Sequence, residues 1–423
     1  MQLIDTLISY LPRAIWVAAL VFPTTRAQRL RAFAALVVTS MWTAFRLIIS
    51  DEPGIKAMNA YSEVAGMAGL IPPALFLLLG TDDPRTSITW LKPTTSSAAV
   101  ESKDGKTKTV QKQKTYLADD SLTFQSRLRW AFTLTFNPRM IGTNVQAANV
   151  IPLSPSLSSS RYNFCMDRLF ILAKSALIMG PMAMIPKYFP SVLDAATKTS
   201  PTIVERMLVT SGGLIFNWNL LNSGQCLLAF LAVALRVSEP DEWPDLFGAL
   251  GDAYTLRRAW GRAWHQILRK PFELSGNAVA SFFGATPHTF ASKYLKLYTA
   301  FAFSAFVHMW GDFSLYSNTL SRFVRSNNPW AIFSMKAMFT PQFFLSQVVG
   351  IMVEDHVIDA IKWAWRSGKF GKGEDEKEAY PPNVVRLGKM LGYVWVFVWF
   401  CATFYAYQQP LMFWTFAKPQ RMF

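Results

Sequence analysis

Long uninterrupted apolar runs constrain this chain more than any other feature. A helix that crosses a bilayer needs roughly 20 mostly apolar residues, because the hydrocarbon core is about 30 Å thick. Residues 30–49, 58–80, 166–185, 214–237, 295–316, 332–353 and 384–407 all reach that length, and a shorter run at 11–23 supplies a first span. The expected fold is all-α: a polytopic transmembrane helical bundle of about eight to ten membrane helices, re-entrant pieces included, around an internal tunnel. A single membrane-embedded domain over residues 1–423 is expected, with no soluble domain.

The charge pattern fits the same reading. Only 16% of the 423 residues are charged, where an ordinary soluble domain has about 25%. The net charge of +15 need not mean nucleic acid, since cytoplasmic loops of membrane proteins are enriched in Lys and Arg. Arg26, Arg29 and Arg31 lie between the first two spans, and Lys103, Lys106, Lys108, Lys112 and Lys114 follow the third. Loops an even number of spans apart share one side, so both are expected in the cytoplasm, with the N-terminus across the membrane. The partner expected is a lipid bilayer and not nucleic acid. The first apolar segment reads as an anchor that stays in place. Residues 81–126, with Pro84, Pro93, Gly105 and the lysines, are expected to form a mobile basic cytoplasmic loop. Cys165, Cys226 and Cys401 show no paired spacing, which suits neither a disulfide framework nor a zinc site, and no metal is expected.

There are four histidines, His265, His288, His308 and His356. His308 lies inside Tyr298-Thr-Ala-Phe-Ala-Phe-Ser-Ala-Phe-Val-His-Met-Trp-Gly-Asp-Phe-Ser314. An ionisable residue in a spanning helix is costly and is by default a functional-site candidate. An apolar setting penalises imidazolium, leaving a neutral ring that can take a proton from an alcohol. Ser304, His308 and Asp312 are four apart and share one helix face, so Asp312 is expected to orient the ring. The competing reading is a packed histidine satisfied by neighbouring helices.

His265 ends the segment Asp252-Ala-Tyr-Thr-Leu-Arg-Arg-Ala-Trp-Gly-Arg-Ala-Trp-His265. As a helix at about 100° per residue, it gathers Arg258, Arg262, His265 and Arg269 within roughly 60°. Leu256, Trp260, Ala263 and Ile267 fall on the opposite side. One reading is a helix in the membrane interface, arginines toward headgroups. The other is a grip on an anionic co-substrate, because guanidinium offers forked donors to phosphate. The two are compatible. His356 reads as a solvated helix end and His288, after Pro287, as a turn residue. Asp167 and Arg168, at the start of a span, are expected to reach toward the interface. Asn217, Asn219 and Asn222 are candidates for lining a polar cavity.

Glu242-Trp-Pro-Asp-Leu-Phe-Gly248 and Tyr254-Thr-Leu-Arg-Arg-Ala-Trp-Gly-Arg-Ala-Trp-His-Gln266 together resemble the wax-synthase-like branch of the membrane-bound O-acyltransferases, with fungal secondary-metabolite members most alike. Arg139-Met-Ile-Gly-Thr143 matches a motif that follows the basic loop in those proteins. The Ala-Phe-Val-His308 helix stands where the family has its catalytic histidine, and the likeness runs from about residue 122 to 354. Two departures stand out: Ala259 where many relatives carry a bulky aromatic, and Asp245 where a second proline is common.

The resemblance implies an acyl-CoA co-substrate that is not permanently bound, a hydrophobic alcohol acceptor, and a multi-pass protein of the endoplasmic reticulum. It implies His308 as base, with Asp312 beside it and His265 as a second polar site residue. Arg258, Arg262, Arg269, Trp264 and Lys270 are then expected near the co-substrate. Acetyl-CoA and a hydroxylated terpenoid-type natural product are the expected substrates, with a long-chain wax ester synthase acting on fatty alcohols as the alternative. A transporter would call for an internal repeat with broken helices, and none is visible. A prenyltransferase would need two aspartate clusters to hold magnesium, and Asp355 with Asp359 supplies one. A carboxylic-acid terpene cyclase leaves the arginine stripe without a purpose.

Overall fold

A computed structural model describes residues 2–22, 25–49, 55–80, 84–88, 90–91, 115–116, 123–188, 202–315, 339–367 and 380–416. Where its residues are described, each expected apolar run falls largely on a helix; residues 332–338 of the run 332–353 lie outside the described residues. The helices are α1 (Gln2–Val21), α2 (Arg26–Ile49), α3 (Ile55–Ala74), α5 (Arg161–Tyr188), α6 (Ile203–Ala234), α8 (Phe290–Leu315), α9 (Phe339–Arg366) and α10 (Pro382–Phe416). Two shorter helices are α4 (Phe124–Phe136) and α7 (Arg269–Phe282), and single helical turns lie at Pro84–Ser87 and Pro155–Ser158. A two-residue antiparallel pair, Trp90–Leu91 with Thr115–Tyr116, flanks the lysine-rich stretch, which itself lies outside the described residues, as does most of the expected mobile loop.

Among the described residues, one helical segment, Pro382–Gln408, is long and apolar enough by hydropathy to cross a membrane, and shorter apolar helices run over Tyr10–Val21 and Glu63–Leu79. The remaining long helices carry polar residues within their apolar runs yet turn bulky apolar side chains outward. Phe170, Leu177, Ile203 and Leu228 are all exposed, the outward-facing apolar side chains that a lipid surround accommodates.

The chain divides into two compact units. The first comprises Met1–Trp42, Leu70–Ala148 and Ile267–Ser275. Its core packs Trp16, Leu20, Leu36, Leu77, Leu78, Trp130, Leu134 and Met140. α1 lies against α4, where the Trp16 indole donates to Thr135 Oγ1 at 2.9 Å. After Pro72 and Pro73 the helix α3 widens into a π turn, Leu75–Leu79, and the buried Arg29 donates from Nε to the Leu78 carbonyl at 3.0 Å. The Arg139–Thr143 motif is a tight turn. The Asn137 side chain bonds both the amide and the carbonyl of Ile141, at 2.8 and 2.9 Å. Met140 and Gly142 take positive φ of 54° and 76° there.

The second unit comprises Thr43–Gly69, Asn149–Gln266 and Gly276–Phe423. α5 pairs with α6, α8 with α9, and α10 packs on both α6 and α9. α6 begins with a capping box: Thr202 Oγ1 accepts from the Glu205 amide at 3.2 Å and Glu205 returns to the Thr202 amide at 2.7 Å. This satisfies two amides that a helix start leaves orphaned. The core gathers Leu256, Phe301, Ala305, Phe343, Phe344, Val348, Ile351, Phe400, Phe404 and Tyr407.

At the α5–α6 end, Arg168 is buried, its side chain 2% exposed. It donates from Nη1 to Asp245 Oδ1 at 2.8 Å, stands 4.8 Å over the Phe164 ring, and has Asp167 3.2 Å from Nη2. The guanidinium is turned into the fold rather than outward, and it pairs there with the half-exposed Asp245. Arg161 bonds the carbonyls of Val233 and Ser238, both at 3.0 Å, and Gln225 bonds that of Pro244 at 2.9 Å. Together these tie down the segment that leads to the site.

Candidate functional site

The second unit holds both His265 and His308. On α8, the His308 ring stacks on Phe344 of α9, centroids 4.9 Å apart and planes 15° from parallel. Tyr407 of α10 meets it edge-on at 6.3 Å, with its hydroxyl 3.5 Å from Nδ1. Phe343 in turn stacks on Tyr407 at 5.0 Å. The imidazole therefore sits where three helices converge, against aromatic faces.

Asp312, one turn further along α8, is 3% exposed. Its Oδ2 accepts the hydroxyl of Thr340 at the start of α9, and its Oδ1 has no hydrogen-bond partner among the described residues. Ser304, His308 and Asp312 share the helix face, and among the described residues the hydrogen bond that the Asp312 carboxylate accepts comes from Thr340, not from the imidazole.

The segment before His265 is not the continuous helix that its periodicity suggests. One helical turn, Leu256–Arg258, passes into a π turn, Ala259–Ala263, and Trp264 is extended at φ −72°, ψ 157°. Partners both local and distant in the chain hold this shape. Thr255 Oγ1 caps the turn at the Arg258 amide, 3.1 Å away. The buried Glu354 carboxylate of α9 accepts from the amides of Leu256 and Arg257 at 2.6 and 3.3 Å. A carboxylate at a helix start meets both the orphaned amides and the positive end of the dipole. Further on, Asn149 donates to the Gly261 carbonyl at 2.8 Å, and Gln266 to those of Trp260 and Trp264 at 3.1 and 2.6 Å.

The break disperses the arginine stripe. Arg258 turns back on Asp252, as an ion pair and through the Asp252 carbonyl at 3.1 Å, and lies 4.4 Å over the Tyr254 ring. Arg262 is exposed, and no hydrogen bond or ion pair engages it among the described residues. Arg269 opens α7 and belongs to the other unit. Arg257, unremarked in the periodic reading, is bound to Asp355 at 3.2 and 2.5 Å. Asp355 also receives Tyr294 and Lys293, each at 2.7 Å, so the carboxylate considered for magnesium is taken up by cations of the chain. Asp355 lies past the apolar run that ends at residue 353. Burial alone would raise its carboxyl, yet the bonds from Arg257, Lys293 and Tyr294 outweigh that and hold it at about 2.

Trp260 is the hub between the two histidines. Its ring meets Phe301, Phe343, Phe344 and Phe400 at 5.6 to 6.4 Å. Its indole points to Gln347 Oε1 at 3.4 Å. Gln347, fully buried, also donates to the Phe343 carbonyl and to Thr403 at 3.0 and 3.1 Å. Trp264 touches Trp260 at 5.9 Å and His265 at 5.5 Å, and Phe247 reaches both Trp264 and His265. A path of ring contacts thus runs from His265 through Trp264, Trp260 and Phe344 to His308. Small side chains at Ala259 and Ala263 leave room for this column.

Of the remaining candidates, His356 bonds the Met352 carbonyl of its own helix at 2.6 Å and is exposed, and His288 sits in a turn at φ 65°. Asn217 donates to Gln408 at 3.1 Å, whereas Asn219 bonds back to the Ile215 carbonyl. Sequence patterns point to Glu354 without giving it a role, and they do not point to Gln347 or Tyr407. A carboxylate or amide inside an apolar helix was the available signal for the first two.

Gly248 pins the π turn from the other side, its amide 3.0 Å from the Ala263 carbonyl. A Cβ there would stand 2.1 Å from the Arg262 carbonyl oxygen. Gly248→Ala is therefore expected to force the backbone apart, costing about 1–3 kcal/mol, with a lower melting temperature in detergent and reduced turnover. Wild-type values for both would mean that the turn is not held this tightly.

Residues 243–333, a stretch containing both His265 and His308, match the family described as Membrane bound O-acyl transferase. The acetyltransferase eriL of Hericium erinaceus is 28% identical over 296 residues, covering 69% of this chain and 68% of its own length. The acetyltransferase ple2 of Rhodocybe pseudopiperita is 29% identical over 276 residues, covering 65% of this chain and 64% of its own. The acetyltransferase spyB of Aspergillus fumigatus is 30% identical over 191 residues, covering 43% and 28%. The match to ple2 thus spans less than two thirds of that relative, and the match to spyB about a quarter. No solved structure matches this chain.

Proposed function

We propose that this chain, a member of the membrane-bound O-acyltransferase family, transfers acetyl from acetyl-CoA to a hydroxyl of a hydrophobic, terpenoid-type natural product in secondary metabolism. The observation that carries the reading is His308 held among Phe344, Phe343 and Tyr407, inside the stretch that matches the acyltransferase family. The acetyl choice rests on relatives named acetyltransferases.

In this reading the chain lies in the endoplasmic reticulum as a multi-pass bundle with an internal tunnel. Acetyl-CoA comes from the cytoplasm and the greasy acceptor from the lipid. His308 takes the hydroxyl proton as the alcohol oxygen attacks the thioester carbonyl carbon. The new C–O bond forms, the C–S bond breaks, and the departing CoA thiolate recovers the proton from the imidazolium. General-base help of this kind is typically worth about 10²–10⁴-fold. A donor is needed for the negative charge that builds on the carbonyl oxygen, and His265 or Trp264 is assigned to hold the thioester end. No covalent acyl-enzyme is required.

Arg262 is the cation assigned to the co-substrate phosphates, because it is exposed while Arg258 is committed to Asp252. Arg262→Ala is expected to raise the acetyl-CoA KM about fivefold, the worth of roughly 1 kcal/mol for a surface ion pair, with kcat little changed. Arg258→Ala is expected to act on stability instead. An unchanged KM for the Arg262 variant puts the phosphates elsewhere.

The deciding experiment feeds microsomes carrying the protein with labelled acetyl-CoA or with labelled long acyl-CoA, against terpenoid and fatty alcohols. Acetyl ester of the terpenoid alcohol is the expected product. Preferential formation of long-chain wax ester replaces the acetyl assignment, and no ester from any donor removes the reading.

A further inference from the structure

We infer that Tyr407 is the positioning residue of the reaction: its phenolic oxygen accepts the Nδ1–H of His308 and so leaves Nε2 as the lone-pair nitrogen that deprotonates the alcohol. The inference rests on His308 being the base. A neutral imidazole carries one proton, and which nitrogen bears it is set by the partner of the other. For Nε2 to act as base, Nδ1 must hold the proton and needs an acceptor. Helix spacing offers Asp312 for that part, but among the described residues its carboxylate accepts from Thr340 and not from the imidazole. The Tyr407 oxygen instead faces Nδ1 at 3.5 Å. That contact is long, as catalytic hydrogen bonds often are before substrate binds and tightens them.

The setting fixes the phenol as well as the imidazole. Tyr407 is buried on α10 and lies nearly parallel to Phe343, 4° between planes, while Phe344 covers the face of His308 at 15°. The two phenylalanines are neighbours on α9, so one helix sets the angle between the rings of two others. Through the cycle Nδ1 keeps its proton. Nε2 gains the alcohol's proton when the C–O bond forms and passes it to the thiolate when the C–S bond has broken, so Tyr407 neither gives nor receives a proton in net terms.

Tyr407→Phe deletes the oxygen and keeps the ring on Phe343. Turnover is expected to fall by about tenfold or more, with KM for acetyl-CoA and for the alcohol within about twofold of wild type, the pattern of an interaction lost in the transition state alone. Tyr405→Phe, which removes a buried hydroxyl two residues away, is the control and is expected to leave turnover unchanged. Full turnover by Tyr407→Phe, or a rise in both KM values that accounts for its loss, overturns the inference. His308→Ala, assayed alongside, separates the two readings. If it is inactive while Tyr407→Phe is fully active, only the Tyr407 assignment falls. If His308→Ala is itself active, the base assignment falls and Tyr407 with it. Should Tyr407→Phe not accumulate, difluorotyrosine placed at 407 keeps the packing and weakens the oxygen as an acceptor. Assayed at mildly acidic pH, where the fluorinated phenol stays protonated, slower turnover relative to wild type at the same pH supports the inference, and unchanged or faster turnover overturns it.

Discussion

His308→Ala is expected to lower ester formation by about two to four orders of magnitude, the usual worth of a general base, while the protein still accumulates in membranes. Accumulation is expected because the ring contacts of the imidazole with Phe344 and Tyr407 are each worth only about 0.5–1.5 kcal/mol beyond area burial. The assay is labelled acetyl transfer in microsomes, normalised to the amount of protein on an immunoblot. Turnover within a few-fold of wild type would show that another group takes the proton. A protein that fails to accumulate would show that His308 is a packing residue, the bland reading its apolar surroundings also permit.

The second large effect is on stability and lies away from the histidines. Asp245→Ala strips the 2.8 Å partner from the buried Arg168 guanidinium. Among the described residues, Asp167, Cys226 Sγ at 3.8 Å and the Phe164 ring remain beside it. Breaking a buried pair by removing one member typically costs about 3–5 kcal/mol, because the other charge stays behind. The lower end, about 3 kcal/mol, is expected here, since the Asp245 side chain is 58% exposed and water reaches it. Arg168→Met is expected to be milder. It removes the buried charge, replaces it with an apolar stem, and leaves a carboxylate that can be solvated. Melting temperatures in detergent should therefore rank wild type, then Arg168→Met, then Asp245→Ala. The reverse order for the two variants would mean that the guanidinium is already solvated. At this position the chain departs from the proline common in the proteins it resembles, and the ion pair gives that departure a structural use.

The helices were legible from sequence because each is announced by a run of apolar residues that a turn or a polar stretch interrupts. His308 was legible for a related reason: an imidazole amid Phe and Ala is costly unless something uses it. The segment 252–265 misled because its arginines and tryptophans fit a 3.6-residue period while its backbone does not. The groups that bend it, Asn149, Gln266 and Glu354, include two that lie about a hundred residues away, and no local pattern encodes their reach. The same distance hid Tyr407, 99 residues beyond His308. Local spacing proposed Asp312 because it sees only one helix, whereas the hydroxyl that claims Asp312 belongs to another. Arg168 was misplaced for the opposite reason. A charge at the end of an apolar run normally seeks water, and only the folded loop reveals a carboxylate waiting for it.

α10 has one further consequence. Near one end, Gly392 lies so close to the Tyr254 carbonyl that a Cβ would stand 2.1 Å from its oxygen, and the Tyr393 hydroxyl bonds the Gly251 carbonyl at 2.7 Å. Towards the other end, Tyr407 faces His308. The intervening four turns or so act as a rigid gauge rod, some 20 Å long at 1.5 Å per residue. A single residue inserted between these two contacts would swing one of them about 100° around the helix axis. The interval between clamp and imidazole is thus fixed in whole residues, however freely the lipid-facing side chains along it are exchanged.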